Sequence, residues 1–462
     1  ACVSVWSSGG DSAMGEGGVV SAGCGPCADT CDVSRDAGAE SLDRSVGDAG
    51  GAMAPLDPHG HRGMVWGVEV GVMHPRNRYA RRRERDVDWT DEEAKRVYTE
   101  SVLRRDFGVT CTLARDRLCP ALPNRLNYIH WLEDILQASG TRSHVAGLDI
   151  GTGHAAIFAV LLCAMHPDWH MTGTDSDASA LVLAQAMLRD PANQAWSRRM
   201  TLRHTPQDTL LPQDMDACFT ICNPPFYASA EERERQRGAQ ASYQKPCAAH
   251  DAELYTPEGE VGFVQRLVHE STQHRERIAW YTTMLGRHAS VGAIVTLLRQ
   301  RGIENYALTE LTQGRTRRWA LAWSFGPHRL PDTLTRRVGP SLHAYVPPSC
   351  HRTWNVPLPS QDALVAQLHA LDTLPPTDTD LTDTSLTVWT LCWTRTARRA
   401  RQRGASTARK PASPLLVLHL DVEPDVCIHV SWTYGLDRWA FDSLCQHILH
   451  RLRPVTKRVA TA

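Results

Sequence analysis

Ala217-Cys218-Phe219-Thr220-Ile221-Cys222-Asn223-Pro224-Pro225-Phe226 is a short apolar run that halts at two prolines. Such a run reads as a buried strand entering a rigid turn. The prolines fix φ and carry no N–H, so the turn offers carbonyl acceptors and no donors at those positions. Asn223 adds a side-chain amide oxygen, and Phe226 adds a flat apolar face. Acceptors beside a stacking ring suit a planar base with an exocyclic amine. Taken alone, the same residues are equally consistent with a strand capped by a Pro-Pro turn, and the upstream sequence separates the two readings.

Upstream, strand and helix patterns alternate. Val145–Ile150 is a short apolar strand, followed by Gly151-Thr152-Gly153-His154 and a helix through Met165. His170–Thr174 is a second strand ending at Asp175, with a helix over Asp177–Arg189; Met200–His204 is a third strand, and Ala217–Cys222 the fourth. This alternation predicts an α/β fold with a doubly wound parallel sheet. Helical spacing resumes at Val261–Thr272 and Ser290–Arg301, and strands near Tyr306–Leu311 and Trp319–Phe325 close the sheet.

Glycines between a strand and a helix permit close backbone approach of a ligand. An acidic residue at the end of the next strand, here Asp175, can accept both hydroxyls of an adenosine ribose. The full GxGxxG is absent, because His154-Ala155-Ala156 follows Gly153. That disfavours a pyrophosphate-bearing dinucleotide and favours S-adenosylmethionine. With Asn-Pro-Pro-Phe at the end of the fourth strand, the order and spacing form the pattern of a class I Rossmann-like amino-methyltransferase.

The chain has 462 residues, enough for two or three domains. A net charge of −1 excludes a polycation. The basic residues are 46 Arg and only 4 Lys, and they cluster at Arg76–Arg85, Arg315–Arg318 and Arg398–Arg403. Local basic patches on a neutral chain suit phosphate contacts at chosen places; solvated charged faces are the equal alternative for any one cluster. The 14 Cys lie mostly in apolar runs, the pattern of reduced buried thiols. Cys24, Cys27 and Cys31 have no second pair at metal spacing, so no metal site is expected. Neither a run of about 18 apolar residues nor a signal peptide is present, and a reducing, intracellular location is expected.

Residues 1–72 read as a disordered leader, with Met73 an alternative start. Residues 73–140 read as a basic arm and a helical module: a helix over 90–106 with Thr90 as N-cap and Gly108 beyond its end, then a Pro-punctuated loop from Cys119 entering a helix to about Leu136. Residues 141–326 form the S-adenosylmethionine-dependent domain, and 228–258 a long polar loop. Pro- and Thr-rich residues 327–383 read as a linker with one helical patch. Residues 384–455 read as a small C-terminal α+β domain carrying a basic loop, Arg395–Lys410, with RNA as a candidate ligand.

Several segments together resemble a known family. They are Met73-His74-x-Arg76-Asn77-Arg78-Tyr79, Pro123-x-Arg125-Leu126-Asn127-Tyr128-Ile129-His130-Trp131, Asp149–Gly153, Asn223–Phe226, Gly259-Glu260-Val261-x-Phe263-Val264, Trp280-Tyr281-x-x-Met284-Leu285-Gly286 and Gln313–Phe325. The region Met73–Phe325 resembles the RNA adenine-N6 methyltransferases that include the U6 spliceosomal snRNA enzyme and its bacterial large-subunit rRNA relative. The resemblance implies transfer of a methyl group to the N6 amine of a flipped adenosine in structured RNA, with U6 snRNA the first candidate and rRNA the second, and a nuclear location ahead of a cytoplasmic one. It implies that Arg125 grips the cofactor's carboxylate, Gly151 and Gly153 approach its methionine part, Asp175 holds the ribose, and Ala155, Thr209 and Asn223 complete the pocket. Asn223, Pro224, Pro225 and Phe226 would be catalytic. Arg76, Asn77, Arg78, Arg82, Arg287, Arg315, Arg317 and Arg318 would line an RNA groove. Ala155 stands where the human-type enzyme has Ser, and Asp208 where it has a Lys in a restraining loop. Two other readings stay open on the residues: a protein-glutamine amide methyltransferase, and an RNA-binding protein without catalysis. Oligomeric state, monomer or homodimer, is not set by the sequence.

Overall fold

The computed structural model describes residues 87–88, 91–141, 143–238, 250–313, 316–404 and 410–452. The leader, the arm Arg76–Arg85, the Cys24–Cys31 cluster, Thr90 and Arg315 lie outside these residues.

Helix α1, Glu92–Phe107, is capped by Asp91, which accepts from the Glu93 N–H at 3.1 Å, and it ends at Gly108 in the left-handed region with φ 64°. The N-cap is therefore one residue past the expected Thr90. Helix α2, Leu122–Ala138, begins inside the stretch expected as a loop, because Pro123 sits in its first turn, where a missing N–H costs nothing. Strand β1 (Ala146–Ile150) leads to α3 (Ile157–Met165); β2 (His170–Asp175) leads to α4 (Ala178–Arg189) and the short α5 (Gln194–Ser197). Then come β3 (Met200–His204), β4 (Ala217–Cys222), α6 (Ala230–Gly238), α7 (Asp251–Leu254), α8 (Gly259–His274), β5 (Ile278–Leu285), α9 (His288–Gln300), β6 (Tyr306–Gln313) and β7 (Thr316–Trp323).

With β8 (Arg336–Arg337) these strands form one sheet in the order β3-β2-β1-β4-β5-β7-β6-β8. Pairing is parallel from β3 to β5, and β7 runs antiparallel to both β5 and β6. The expected parallel sheet is thus mixed. Strand order reverses beside β1, whose neighbours are β2 and β4. A crevice opens at the carboxyl ends of strands at such a point.

The sheet is packed on both faces. On one, α1, α2 and α3 share a core with Met171, Phe219 and Trp280. The Tyr128 hydroxyl of α2 meets Thr282 Oγ1 at 2.6 Å, so α2 is locked to β5 rather than forming a separate module. On the other face α8 and α9 bury Val264, Leu267, Ile294 and Val295. Gly147 of β1 has no room for a side chain: a Cβ there would lie 2.3 Å from Phe219 Cζ.

Residues 327–383, expected to be a linker, are folded. They contain α10 (Asp332–Thr335), β8, β9 (His351–Trp354), α11 (Gln361–His369) and β10 (Thr379–Leu381). Apolar residues spaced between the prolines account for this. Leu330 and Leu342 plug the two cores of the first sheet, and Trp354, Val356, Leu358 and Leu364 build a third core. That third core is completed by β11 (Ser385–Val388), β12 (Leu416–Glu423), β13 (Cys427–Tyr434) and α13 (Arg438–Leu452). The second sheet is antiparallel with the order β10-β11-β12-β13-β9. The expected basic loop starts as a helix, α12 (Arg395–Gln402), whose N-cap Thr394 accepts from the Ala397 N–H at 3.3 Å. Arg329 ties the two sheets, its Nε donating to Gly435 O at 2.8 Å and its guanidinium lying 4.0 Å from the Trp432 ring. Among the described residues no helix is long and apolar enough to cross a membrane.

Candidate active site

A single cavity at the carboxyl ends of β1, β2 and β4 is lined by Arg125, Gly151, Gly153, Ala155, Asp175, Thr209 and Asn223. All seven residues expected around a cofactor therefore meet. Gly151 and Gly153 both have φ +67°, and neither has an atom within 4 Å of where a Cβ would stand. A side chain is disfavoured there by backbone conformation, and the space is left to a ligand. The Gly153 N–H donates to Asp175 Oδ2 and the Asp177 N–H to Asp175 Oδ1, each at 2.8 Å. Burial pushes the Asp175 carboxyl above its usual range despite these two bonds. Thr209 reaches the cavity from the loop after β3, its hydroxyl 3.2 Å from Asp208 Oδ1.

Arg125 projects from α2 into the cavity wall. Among the described residues no carboxylate forms an ion pair with its guanidinium; its Nη1 meets Met284 Sδ at 3.3 Å, its Nε has no partner, and the group sits 5.1 Å from the Phe158 ring. Burial, and then the charge of Arg318, lower its pKa to about 10. Asp149 lies fully buried beneath the glycines. Its Oδ2 accepts from Thr152 Oγ1 at 2.7 Å and from the Ala159 N–H at 3.4 Å, while Oδ1 has no partner. Burial pushes its pKa up to about 7. A buried cation thus lines the cavity, and a buried acid with one unpaired oxygen lies beneath its glycine turn.

The turn after β4 is held from behind. Asn223 and Pro225 face the cavity, and Pro224 is buried. Phe226 is half-buried, and a Cβ on Gly286 would sit 3.3 Å from its ring. Glu260, near the start of α8, accepts from the Gly286 N–H. Arg287 donates to the Phe226 carbonyl and to Glu232 Oε1, the latter at 2.6 Å. The strand β5, which the sequence pattern did not reveal, delivers Gly286 and Arg287 to this point. Beyond the turn, the Tyr227 N–H donates to Leu254 O at 2.9 Å, folding α7 back over the cavity. There Glu253 accepts from the Leu118 N–H at 3.0 Å and lies 3.4 Å from His154 Nδ1. The segment expected as a long polar loop thus carries α6 and α7, and it adds Glu253, Tyr255 and Thr256, which have no mark in the sequence, to the cavity wall.

A family model described as RNA methyltransferase matches residues 79–327. This chain belongs to that family. It is 30% identical over 375 residues to a fission-yeast protein named U6 small nuclear RNA (adenine-(43)-N(6))-methyltransferase, covering 79% of this chain and 95% of the relative. It is 35% identical over 253 residues to human RNA N(6)-adenosine-methyltransferase METTL16, covering 52% of this chain but only 44% of that protein. A crystal structure of the human catalytic domain with the MAT2A 3′UTR hairpin 1 aligns at 32% identity and a TM-score of 0.48, over 55% of this chain and 95% of that one.

The family's methyl donor is S-adenosylmethionine, and the cavity fits it. Arg125, whose guanidinium faces no carboxylate among the described residues, suits the donor's carboxylate, the two open glycines suit close approach of its methionine part, and Asp175 suits its ribose. Ala155 is buried in the same wall and contributes no polar contact.

Of the residues expected to line an RNA groove, Arg76, Asn77, Arg78, Arg82 and Arg315 lie outside the described residues. Arg317 is exposed, with Nε 3.5 Å from Glu310. Arg318 is half-buried, donates to the Arg317 carbonyl at 2.9 Å, and has its pKa lowered by burial. Arg287 is engaged with the turn itself.

Proposed function

We propose that this protein methylates the N6 amine of one adenosine in U6 snRNA, the base being flipped into the turn at Asn223–Phe226. The observation that carries the reading is the position of that turn: Asn223 and Pro225 line the cavity that also holds Arg125, Gly151 and Asp175, and in this reading Asn223 Oδ1 and the Pro224 carbonyl serve as the two acceptors. The fission-yeast relative, of which this chain spans nearly the whole length, supports the choice of U6. The vertebrate relatives are about twice as long as the matched segment.

Adenine N6 is a poor nucleophile, because its lone pair is delocalised into the ring. Accepting both N6 hydrogens at Asn223 and Pro224 favours a pyramidal nitrogen whose lone pair points into the cavity. Phe226 supplies a stacking surface for the extruded base. S-adenosylmethionine supplies an electrophilic methyl on a sulfonium. Arg125, Gly151, Gly153, Asp175 and Thr209 bind and orient the donor, and α7 narrows the access of water. Positioning and electrostatics carry the catalysis. Arg287 fixes the turn through the Phe226 carbonyl and leaves phosphate contacts to Arg317, Arg318 and the arm Arg76–Arg85. Exposed Arg395 and Arg399 of α12 extend the basic surface for structured RNA. A U6 substrate places the protein in the nucleus.

The test is methyl transfer from labelled S-adenosylmethionine to a U6 snRNA transcript, to the same transcript with the target adenosine replaced by guanosine, and to a protein extract. Label on the first RNA alone is expected. Equal label on both RNAs overturns the choice of base, and label confined to protein favours the glutamine-amide reading.

A further inference from the structure

The outward face of the second sheet carries side chains that methyl transfer does not use. In β13, Ile428, Val430 and Trp432 face the third core. Strand alternation therefore turns Cys427 and His429 to the opposite side. Glu423 of β12 pairs with Cys427 in register, and Asp421 with His429. Cross-strand partners share a face, so the hairpin end gathers a thiol, an imidazole and carboxylates.

Three of these groups converge. Cys427 Sγ lies 3.5 Å from Glu423 Oε2 and 3.5 Å from His429 Nε2, and His429 Nε2 lies 3.6 Å from Glu423 Oε2. The donors make a nearly equilateral triangle of sulfur, nitrogen and oxygen. A tetrahedral zinc ion, at about 2.3 Å from sulfur and about 2.0–2.2 Å from nitrogen and oxygen, requires donors roughly 3.3–3.6 Å apart. We propose that Glu423, Cys427 and His429 form a zinc-type site with its fourth position open to solvent.

The chemistry of the donors selects the ion. Thiolate and imidazole favour zinc over calcium or magnesium, which prefer all-oxygen shells. The imidazole is supported: the His351 ring stacks on His429 with centroids 5.5 Å apart, and His351 is itself set between Ser431 Oγ at 3.4 Å and Thr353 Oγ1 at 3.3 Å. This stack limits how far the His429 ring can turn. Cys427 is 5% exposed, while Glu423 and His429 open to solvent, so an ion can enter without unfolding the sheet. Bound there, it pins the two ends of the β12–β13 turn. Its spacing, Glu423-x3-Cys427-x-His429, contains no CxxC or HxxxH, which is why sequence spacing predicted no metal.

The experiment is titration of the metal-free full-length protein with Co2+, read by absorption. One equivalent is expected to produce a thiolate-to-cobalt charge-transfer band and strong visible d–d bands of a tetrahedral ion, both reversed by Zn2+. Cys427→Ser and His429→Ala should abolish the bands, and Glu423→Gln should weaken binding at least tenfold, with methyl transfer retained in all three as the check of folding. The cluster Cys24, Cys27 and Cys31 is the competing thiolate source, so the bands must persist when those three are changed to Ser. No band, or a band that survives Cys427→Ser but not the triple change, overturns the proposal and leaves Cys427 a hydrogen-bonded thiol.

Discussion

The Gly153 N–H donates to Asp175 Oδ2 at 2.8 Å, so the strand-end acid and the glycine turn hold each other across the mouth of the cavity. The carboxylate also takes the Asp177 N–H, which starts α4. Asp175→Ala therefore strands two backbone donors as well as removing the proposed ribose acceptor. A hydrogen bond to a charged group is worth about 1.5–3 kcal/mol, so cofactor affinity should fall at least tenfold. Calorimetric titration with S-adenosylhomocysteine measures it, and wild-type affinity in the variant would remove Asp175 from the binding site.

Asp149 gives the ligand-free protein a pH dependence. Burial raises its folded pKa to about 7, above the unfolded value near 3.9. The stability it contributes is complete below about pH 4 and is lost as pH rises through about 7. Between about pH 5 and 8 the ligand-free wild type should lose more thermal stability than Asp149→Asn, which carries no ionisable group there. Parallel Tm curves for the two proteins would show that Asp149 does not titrate in that window.

Glu260 is a positioning residue. Its carboxyl, pushed upward by burial, accepts from the Gly286 N–H, and Gly286 backs the ring of Phe226. Glu260→Ala leaves that N–H unpaired and opens space behind the ring. We expect kcat to fall about tenfold to a hundredfold, in line with the loss of a buried hydrogen-bonded group at an active site, while KM for S-adenosylmethionine holds. Glu260→Gln keeps an acceptor and should recover most of the rate. Loss of cofactor affinity in Glu260→Ala would instead place the residue in cofactor binding.

What the sequence made legible was local chemistry. Gly151, Gly153, Asp175 and the turn at Asn223 each sit at a strand end, where glycine, proline and acidic residues carry their own conformational signal, and all of them reach one cavity. Strand β5 escaped because Ile278–Leu285 is buried at every position except Ala279 and lacks a period that separates strand from helix. The antiparallel insertion of β7 between β5 and β6 is a tertiary fact with no short-range mark. Residues 327–383 looked like a linker because prolines and threonines outweigh the scattered Leu330, Leu342 and Trp354 that fill three different cores. Asp149 stood in plain view in the glycine motif, but its protonation depends on burial that only the packed sheet creates.

Asn223 carries the sharpest test, because its side chain opens onto the cavity while its neighbour Pro224 is buried. Asn223→Ala removes one of the two acceptors proposed for the N6 hydrogens and leaves Arg125, Asp175 and the glycine turn untouched. By comparison with other preorganised hydrogen-bonding groups, its rate constant should fall about 10²–10³-fold, with cofactor affinity close to wild type. Asn223→Asp keeps an acceptor in the same place but adds a negative charge and loses the amide N–H donors, so it should retain activity between the two. Single-turnover methylation of the U6 transcript separates chemistry from binding. If Asn223→Ala transfers methyl at the wild-type rate, the base is held by other groups and the Pro224 carbonyl cannot be the lone survivor of a two-acceptor clamp.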